Sequence, residues 1–329
     1  MTITVYIPTF NRAAKLREAL TSLRLQTLAK DHFRVVVADN ASTDATAEVI
    51  REFSDLTLVH RRRERNIGLV ANWCGARDHF DTPYIQFLSD DDLLAPYHLE
   101  FCLRRLEAQP DIGVFGTGVL YGAGLWEPST QRGDLRLGDR LLDSADLCYH
   151  WSAQAWLAAH SIYSAVNVNA CLFRTDALRG IEPLFDVSVA AITDRWMMAQ
   201  VGLRALCVTT PWPTCALRVH GENAIHGAAL VDIEDVAREV ARRVLALGAD
   251  HGFDLAGYWR QYLRESGGRR ADVVELICRA YPSQVAATIL ESTDRPPRRL
   301  DGWPLPQALK DQIRGWRSRW RRSRRGWLA

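Results

Sequence analysis

The chain has 329 residues, of which 47% are hydrophobic and 24% charged, a composition typical of a globular protein with a sizeable core. Its seven cysteines include no C-x-x-C pair, which argues against a zinc ribbon or a disulfide framework and favours reduced thiols. The net charge of +2 is unevenly spread, because residues 310–329 hold one lysine and seven arginines against one aspartate, which is +7 and leaves −5 for the rest.

The hydrophobic pattern up to residue 120 predicts strands that alternate with helices. Because the first strand begins at once, no signal peptide is expected. Alternation of this kind indicates an α/β fold with a mainly parallel sheet and helices on both faces. We expect strands at 3–7, 34–38, 56–60, 84–88 and 112–120. We expect helices around 16–23, at 44–53, from the turn at 66–68 to about 79, and at 97–107.

The rest of the chain is predicted to complete the sheet and then to become helical. After a loop-like stretch at 121–146, we expect a helix at 151–160, a strand at 166–173, a helix from Asp176, a strand at 204–209, and helices from 231, at 254–264, 270–280 and 283–292. Residues 147–173 lack Asp, Glu, Lys and Arg, but are too polar to span a membrane. The predicted domains are an α/β domain at 1–227, a helical extension at 228–295 and a basic amphipathic tail at 296–329.

Three adjacent aspartates, Asp90, Asp91 and Asp92, follow the apolar segment at 84–88. In open α/β sheets ligands bind beyond the carboxyl ends of the strands, and neighbouring carboxylates repel one another unless a cation lies among them. The run therefore predicts a site for Mg²⁺ or Mn²⁺, which prefer hard oxygen ligands. The alternative is an acidic turn that caps the following helix.

Asp39 ends the second predicted strand and precedes a polar run at 40–44. Its carboxylate is suited to accept the imide N–H of uracil or thymine, and Phe10 in the neighbouring loop would offer a stacking face for the base. The alternatives are that Phe10 belongs to the core, and that the loop caps a helix with Ser42 or Thr43 as the N-cap.

Asp194 opens a predicted helix and is interpreted either as a helix cap or as a general base whose pKa is raised by burial. His220 is either a core histidine or a metal ligand, with His226 as a weaker candidate. The basic run at 61–65 is expected mostly to face solvent, although some of its arginines could lie near a diphosphate.

The tail places aromatic and aliphatic residues near one helical stripe and its arginines mostly elsewhere. A helix of this kind fits an anionic membrane surface, where each basic residue contributes about 1 kcal/mol. The alternatives are a disordered tail or a helix packed on a partner, and the acidic body argues against nucleic acid. The stripe consists of Leu309, Ile313, Trp316, Trp320 and Trp327.

Six motifs, taken in chain order, resemble those of the family 2 glycosyltransferases of the GT-A fold. They cover about residues 1–225, and their common order is more specific than any one of them. They are Pro8-Thr9-Phe10-Asn11-Arg12, the segment from Val37 to Asp44, Asn66-Ile67-Gly68, Phe87 to Asp92 with Pro96, Thr193-Asp194, and Arg218 to Asn223.

The resemblance implies a role for residues in each motif. Pro8, Thr9 and Phe10 would border the base, with Asp39 on its imide and Asp90 on the ribose. Arg12 and Asn66 are assigned to the same donor site. Counting back from Pro96 makes Asp91 the metal-binding acid, with Asp92 next to it. The D-x-D spacing would instead pair Asp90 with Asp92. Ser89 stands where the family usually has its first acid. Asp194 matches the catalytic base, although Thr193 replaces the common glutamate, and His220 matches a histidine at the metal or diphosphate.

The expected function is inverting, Mn²⁺- or Mg²⁺-dependent transfer of a sugar from a nucleotide-diphosphate sugar, with UDP or dTDP favoured. The expected acceptor is a lipid-linked saccharide in bacterial surface-polysaccharide synthesis, at the cytoplasmic face of the membrane. One alternative is a nucleotidyltransferase, although 8–12 is not the Gly-rich, Lys-bearing phosphate loop that it would favour. The other is a nucleotide-sugar-binding module that binds donor without turnover.

Overall fold

The computed structural model describes residues 1–122, 148–218, 230–265 and 271–281, together with 285, 286, 289 and 290. The described residues of Met1–Ser152 and Val166–Gly227 form one compact unit, and those of Ala153–Ala165 and Ala228–Ala329 form a second. The predicted loop at 121–146, His220, His226 and the tail lie outside the described residues, except for the end of one strand at 121 and 122. The predicted division into three parts stays a prediction.

The first unit is built on one mixed sheet. In the described residues its order is β3-β2-β1-β4-β8-β6-β9-β5, with β7 also paired to β9. Four pairs are parallel, namely β1 with β2, β1 with β4, β2 with β3 and β6 with β9. The strands are β1 (Ile3–Thr9), β2 (Phe33–Asp39), β3 (Leu58–Arg62), β4 (Tyr84–Phe87), β5 (Leu93–Leu94), β6 (Ile112–Gly122), β7 (Tyr149–Trp151), β8 (Cys171–Arg174) and β9 (Leu206–Arg218).

Helices follow most of these strands, as the alternating pattern predicts. Every residue of β1 is buried, as expected of a central strand covered on both faces. The helices are α1 (Ala13–Arg24), α2 (Thr46–Arg51), α3 (Leu69–Cys74), α4 (His98–Ala108), α5 (Ala153–Ile162), α6 (Thr175–Leu178), α7 (Thr193–Val201), α8 (Leu230–Asp250), α9 (Leu255–Glu265) and α10 (Ala271–Ala280). Short 3-10 turns lie at Gly75–His79, Val168–Ala170 and Val187–Ile192.

The second unit packs α5 with α8, α9 and α10. Trp156 of α5 is fully buried, and so are Val240 and Val244 on the predicted apolar face of α8. Tyr281 and Ser161 share a buried hydrogen bond of 2.7 Å between their hydroxyl groups. Among the described helices, none has both the length and the apolarity needed to cross a bilayer.

Three local predictions are wrong. The strand expected at 166–173 begins only at Cys171, because the Asn167 side chain accepts a hydrogen bond from the Asn169 N–H and starts a 3-10 turn. The last strand continues past 209 to Arg218 and includes two prolines, because the pairing register with β6 shifts around Gly118.

The predicted helix cap at Ser42 or Thr43 is the third wrong prediction. Ser42 Oγ instead accepts the N–H of Asn11 at 3.0 Å, and α2 begins only at Thr46. Asp44 supplies the hydrogen-bond acceptor there, since its Oδ1 accepts the Thr46 N–H at 3.1 Å.

A buried polar network fixes the part of β4 that leads into the acidic run. Gln86 Nε2 donates to the carbonyls of Phe87 and Asn169, each at 2.7 Å, so that its Oε1 faces His98. His98 Nε2 donates to that oxygen at 2.9 Å, and His98 Nδ1 accepts from the Thr214 hydroxyl at 2.6 Å. This arrangement requires the neutral imidazole, and burial lowers the pKa of His98 to about 3.

We expect the free energy of unfolding to fall below pH 6.5 because of His98. Between its folded-state pKa of about 3 and the ordinary value of 6.5, only the unfolded chain takes up the proton, which costs up to about 1.4 kcal/mol per pH unit. His98→Phe removes this titration while leaving Gln86 and Thr214 without their partner, a cost of about 2–4 kcal/mol at neutral pH.

Urea unfolding at pH 7.5 and pH 5 tests this expectation. The stability gap between wild type and His98→Phe should narrow at pH 5, whereas His32→Gln at an exposed histidine should leave the pH response as in the wild type. An unchanged gap would show that His98 does not titrate in the expected way.

Candidate functional site

The loops after β1 and β2 lie side by side at the carboxyl edge of the sheet and are joined by hydrogen bonds. Asn11 Oδ1 accepts the Thr43 N–H at 2.8 Å, and the Asn40 N–H donates to the Thr9 carbonyl at 2.9 Å. Asn11 and Ala41 have positive φ values of 52° and 67°, a conformation that is rare for residues other than glycine and common at binding sites.

Phe10, between these loops, is 40% exposed. The interpretation of Phe10 as a core residue is therefore wrong. Its ring lies at the surface beside Thr9, which is only 3% exposed. An apolar ring held at a polar edge of the sheet offers a stacking surface for a planar ligand.

Asp39 is fully buried at the end of β2, and other residues hold its carboxylate in place. Oδ1 accepts the Ser42 N–H at 2.8 Å, and Oδ2 lies 3.0 Å from His60 Nε2 and 3.6 Å from Arg62 Nε. A carboxylate has about four acceptor positions, so these three contacts leave one of them unused. The sequence motifs did not indicate the contact with His60.

Asn66 stabilises the turn before α3. Its Oδ1 accepts from Asn40 Nδ2 and from the Gly68 N–H, each at 2.8 Å. Asn40 Oδ1 in turn accepts the Ile67 N–H at 2.9 Å. Gly68 has φ of 87°, which a residue with a side chain rarely adopts. Asn66, which the sequence assigns to the nucleotide-sugar site, therefore connects the loop between β3 and α3 to the loop after β2.

Asp90 lies directly beside the β1 loop. Its Oδ2 accepts from the Thr9 hydroxyl at 2.7 Å, and its Oδ1 accepts from Arg12 Nη1 at 3.2 Å. Burial raises the pKa of Asp90 to about 6, against the lowering effect of the Thr9 hydrogen bond. The structure thus brings Thr9, Arg12 and Asp90 together, as predicted for one donor site.

Asp91 contacts the same guanidinium group as Asp90, because Arg12 Nη1 also donates to Asp91 Oδ2 at 3.0 Å. Two buried carboxylates therefore face one guanidinium nitrogen. The position between Asp90 and Asp91 is one where the protein itself places positive charge.

Asp92 is engaged differently. Its Oδ2 accepts from Asn169 Nδ2 at 2.6 Å, and its Oδ1 accepts the Arg218 N–H at 3.0 Å. Burial raises the pKa of Asp92 to about 8. The charge of Asp91 adds to this effect, and the interactions with Arg218 oppose it. Both oxygens of Asp92 are thus used in joining the acidic run to β9 and to the turn before β8.

Asn169 and Arg218 are the main residues that the site predictions missed. Asn169 is 4% exposed, and its Oδ1 also accepts the Ser89 N–H at 2.9 Å. Arg218 Nε donates to the Asp91 carbonyl, and Arg218 forms an ion pair with Glu18 of α1. Arg218 belongs to the motif from Arg218 to Asn223, whereas Asn169 belongs to none of the six motifs. The sequence did not indicate which residues either of them contacts.

Asp194 lies in the first turn of α7 and is partly buried. Burial raises its pKa, against the lowering effect of the Arg195 N–H. The pKa of the Cys171 thiol is raised chiefly by burial, and the charge of Asp194 also contributes.

The carboxylates fit a divalent cation in part. Asp90 and Asp91 offer hard oxygens around one cationic position, as Mg²⁺ and Mn²⁺ require. Asp92 would first have to release a hydrogen bond. Within the described ranges, no group of three or more His, Cys, Asp or Glu side chains is arranged to hold a metal.

Comparison with known families shows which class of protein this fold and these motifs resemble. Residues 4–154 match the model of Glycosyl transferase family 2. This match agrees with the resemblance seen in the sequence motifs.

Two named relatives are glycosyltransferases. Validoxylamine A glucosyltransferase of Streptomyces hygroscopicus subsp. jinggangensis is 33% identical over 122 residues, which are 36% of this chain and 29% of that protein. Abequosyltransferase RfbV of Salmonella typhimurium is 32% identical over 115 residues, 34% of each chain. The aligned segment thus covers about a third of the length of each relative.

The solved structures confirm the GT-A fold. S. aureus TarS, residues 1–349, in complex with UDP-GlcNAc, superposes with a TM-score of 0.62 at 16% identity, over 99% of this chain and 92% of that one. At this identity the likeness concerns the fold alone. The mainly parallel sheet flanked by helices is therefore the architecture that the sequence resemblance implied.

Proposed function

We propose that the chain is an inverting, metal-dependent glycosyltransferase that moves a sugar from a nucleotide-diphosphate sugar to an acceptor hydroxyl. The observation that carries the proposal is the pair Asp90 and Asp91, buried around one cationic position beside Thr9 in the segment that matches the family 2 model. This pair lies beyond the carboxyl ends of β1 and β4, where ligands of open α/β sheets bind.

The donor nucleotide would occupy the edge formed by the β1 and β2 loops. Pro8, Thr9 and Phe10 would border the base, with the exposed Phe10 ring stacked on it. The buried Asp39 would accept the imide N–H, which favours UDP or dTDP over GDP or CDP. Asp90 would bind the ribose, and its contacts with Thr9 and Arg12 preset its orientation.

Asp91 would hold Mn²⁺ or Mg²⁺, with Asp92 nearby and His220 as a further candidate. When bound, such an ion supplies positive charge against the departing diphosphate. Arg12 now neutralises Asp90 and Asp91, so this guanidinium would be available to the phosphates once a divalent ion replaces it.

Asp194 would act as the general base. Burial raises its pKa and so makes the carboxylate a stronger base than an exposed aspartate. It would take the proton from the acceptor hydroxyl as that oxygen attacks the anomeric carbon and the bond to the diphosphate breaks. A single displacement of this kind inverts the anomeric centre without a covalent intermediate.

We propose a saccharide acceptor, lipid-linked in bacterial surface-polysaccharide synthesis, reached from the cytoplasmic face of the membrane. The basic tail at 296–329 would bind anionic lipid, and no nucleic acid partner is proposed.

Release of nucleoside diphosphate tests the proposed reaction. UDP-, dTDP-, GDP- and CDP-sugars would be incubated with the protein, with and without Mn²⁺, and with simple saccharide acceptors. We expect metal-dependent release from a UDP- or dTDP-sugar in the wild type. Donor binding without release from any sugar would support a non-catalytic binding module instead.

Asn169→Ala is expected to weaken metal-dependent nucleotide binding by about 10-fold, because Asn169 orients both Asp92 and the Ser89 backbone. The measurement is titration of nucleotide at fixed Mn²⁺. Asn167→Ala is the matched control, since Asn167 caps the same turn but is not observed to contact an aspartate. Equal weakening in the two variants would indicate a loss of the turn rather than of the Asp92 contact.

A further inference from the structure

A second concave site lies along β3, the strand that ends the sheet order in the described residues. It has a volume of about 420 Å³, which is within the usual range of small-ligand pockets. The lining takes three arginines from the basic run at 61–65, but none of the residues assigned to the donor, the metal or the base. The lining consists of Tyr6, His60, Arg61, Arg62, Arg63, Gly75, Asp78 and His79.

The lining is cationic, with three arginines against one carboxylate, that of Asp78, and it also contains two histidines. Arg62 is partly neutralised, because its Nε lies 3.6 Å from Asp39. Among the described residues, no carboxylate lies within ion-pairing distance of Arg61 or Arg63. The pocket therefore concentrates positive charge that the described protein does not balance.

Arg63 is held beside Tyr6 by close packing. A Cβ at Gly75 would lie 2.5 Å from Arg63 Nη2 and 2.7 Å from the Tyr6 hydroxyl oxygen, so only glycine leaves room there. Arg63 Nε is buried and has no hydrogen-bond partner in the described part of the chain. A buried donor without a partner costs free energy, which an anionic ligand would recover.

His79 reports the same electrostatic environment. It is 8% exposed. Burial lowers its pKa, and the charges of Arg34 and Arg61 lower it further, while Asp78 and Asp81 oppose them. The surroundings thus disfavour additional positive charge and favour an anion.

We propose that this pocket is a second ligand site that binds a phosphate-type anion, with Arg61 and Arg63 as its principal ligands. Arginine suits this role because its planar guanidinium donates two parallel hydrogen bonds to phosphate oxygens. The phosphate group could belong to a small soluble molecule or to a lipid headgroup. The proposed anion binding does not require glycosyl transfer, although His60 and Arg62 of the lining also contact Asp39 of the proposed donor site.

Calorimetric titration of the full chain with inorganic phosphate tests the site. We expect saturable binding by the wild type, weakened at least about tenfold in the Arg61→Gln/Arg63→Gln double variant because the charged donors are lost. Arg65→Gln, at an exposed arginine outside the lining, is the matched control and should bind as the wild type does. Gly75→Ala should weaken binding without removing any charge, because it displaces Arg63.

Two further titrations distinguish the sources of the phosphate. Glycerol 3-phosphate represents soluble esters, and phosphatidylglycerol vesicles, with phosphatidylcholine vesicles as their control, represent headgroups. Binding of either probe that is lost in the double variant supports the site and names its source. Absence of saturable phosphate binding in the wild type, or equal affinity in wild type and double variant, would overturn the proposal.

Discussion

Asp91→Asn is expected to lower kcat/KM for sugar transfer by at least about 100-fold, because the variant loses the charge of the proposed metal ligand next to the departing diphosphate. Asp91 is 7% exposed and shares Arg12 with Asp90, so the substitution also removes one of two carboxylates around the cationic position. The measurement is nucleoside diphosphate release over a range of Mn²⁺ concentrations, at saturating donor.

The control for Asp91 is Asp31→Asn, at an exposed aspartate before β2. It removes the same charge from the protein but should leave both turnover and metal response unchanged. Wild-type turnover and an unaltered Mn²⁺ dependence in Asp91→Asn would remove Asp91 from the metal site.

Asp194→Asn is expected to lower kcat by about 10²–10⁴-fold while donor binding stays near that of the wild type, because a general base acts only in the chemical step. Since burial raises the pKa of Asp194, wild-type activity should fall with decreasing pH at a value above that of an ordinary aspartate. Below that pH the base is protonated and unable to accept the hydroxyl proton.

Asp176→Asn serves as the control for Asp194, since Asp176 also lies in the first turn of a helix but its side chain is 90% exposed. A general base acts in the chemical step and not in donor binding, so both kcat and donor affinity have to be measured. A parallel loss of donor affinity and kcat in Asp194→Asn would assign Asp194 to the fold or to donor binding rather than to proton transfer.

The parts of the fold and site that could be predicted from the sequence are those determined by the local hydrophobic pattern and by position at the end of a strand. The apolar segment before Asp90 ends at the carboxyl edge of the sheet, and Asp39 ends β2 at the same edge. Parallel strands bring such ends together, so Thr9, Asp39 and Asp90 could be placed near one another from their order alone.

The missed contacts depend on pairing between distant segments. Asn169 reaches Asp92 because β8 runs antiparallel to β4, and Arg218 reaches Asp92 because β9 continues through two prolines. Proline normally argues against an internal strand, so the sequence pattern ended the strand too early. His60 likewise reaches Asp39 only through the register of β3 against β2.

A thermal-shift panel tests nucleotide binding at the acidic edge of the sheet. UDP, dTDP, GDP and CDP would each be added, with and without Mn²⁺, to the wild type and to Asp91→Asn. A ligand that binds only the folded chain raises Tm by an amount set by its concentration relative to Kd. We predict a Mn²⁺-dependent rise with UDP or dTDP in the wild type that is absent from the variant. No rise with any of the four nucleotides would contradict the proposed donor site.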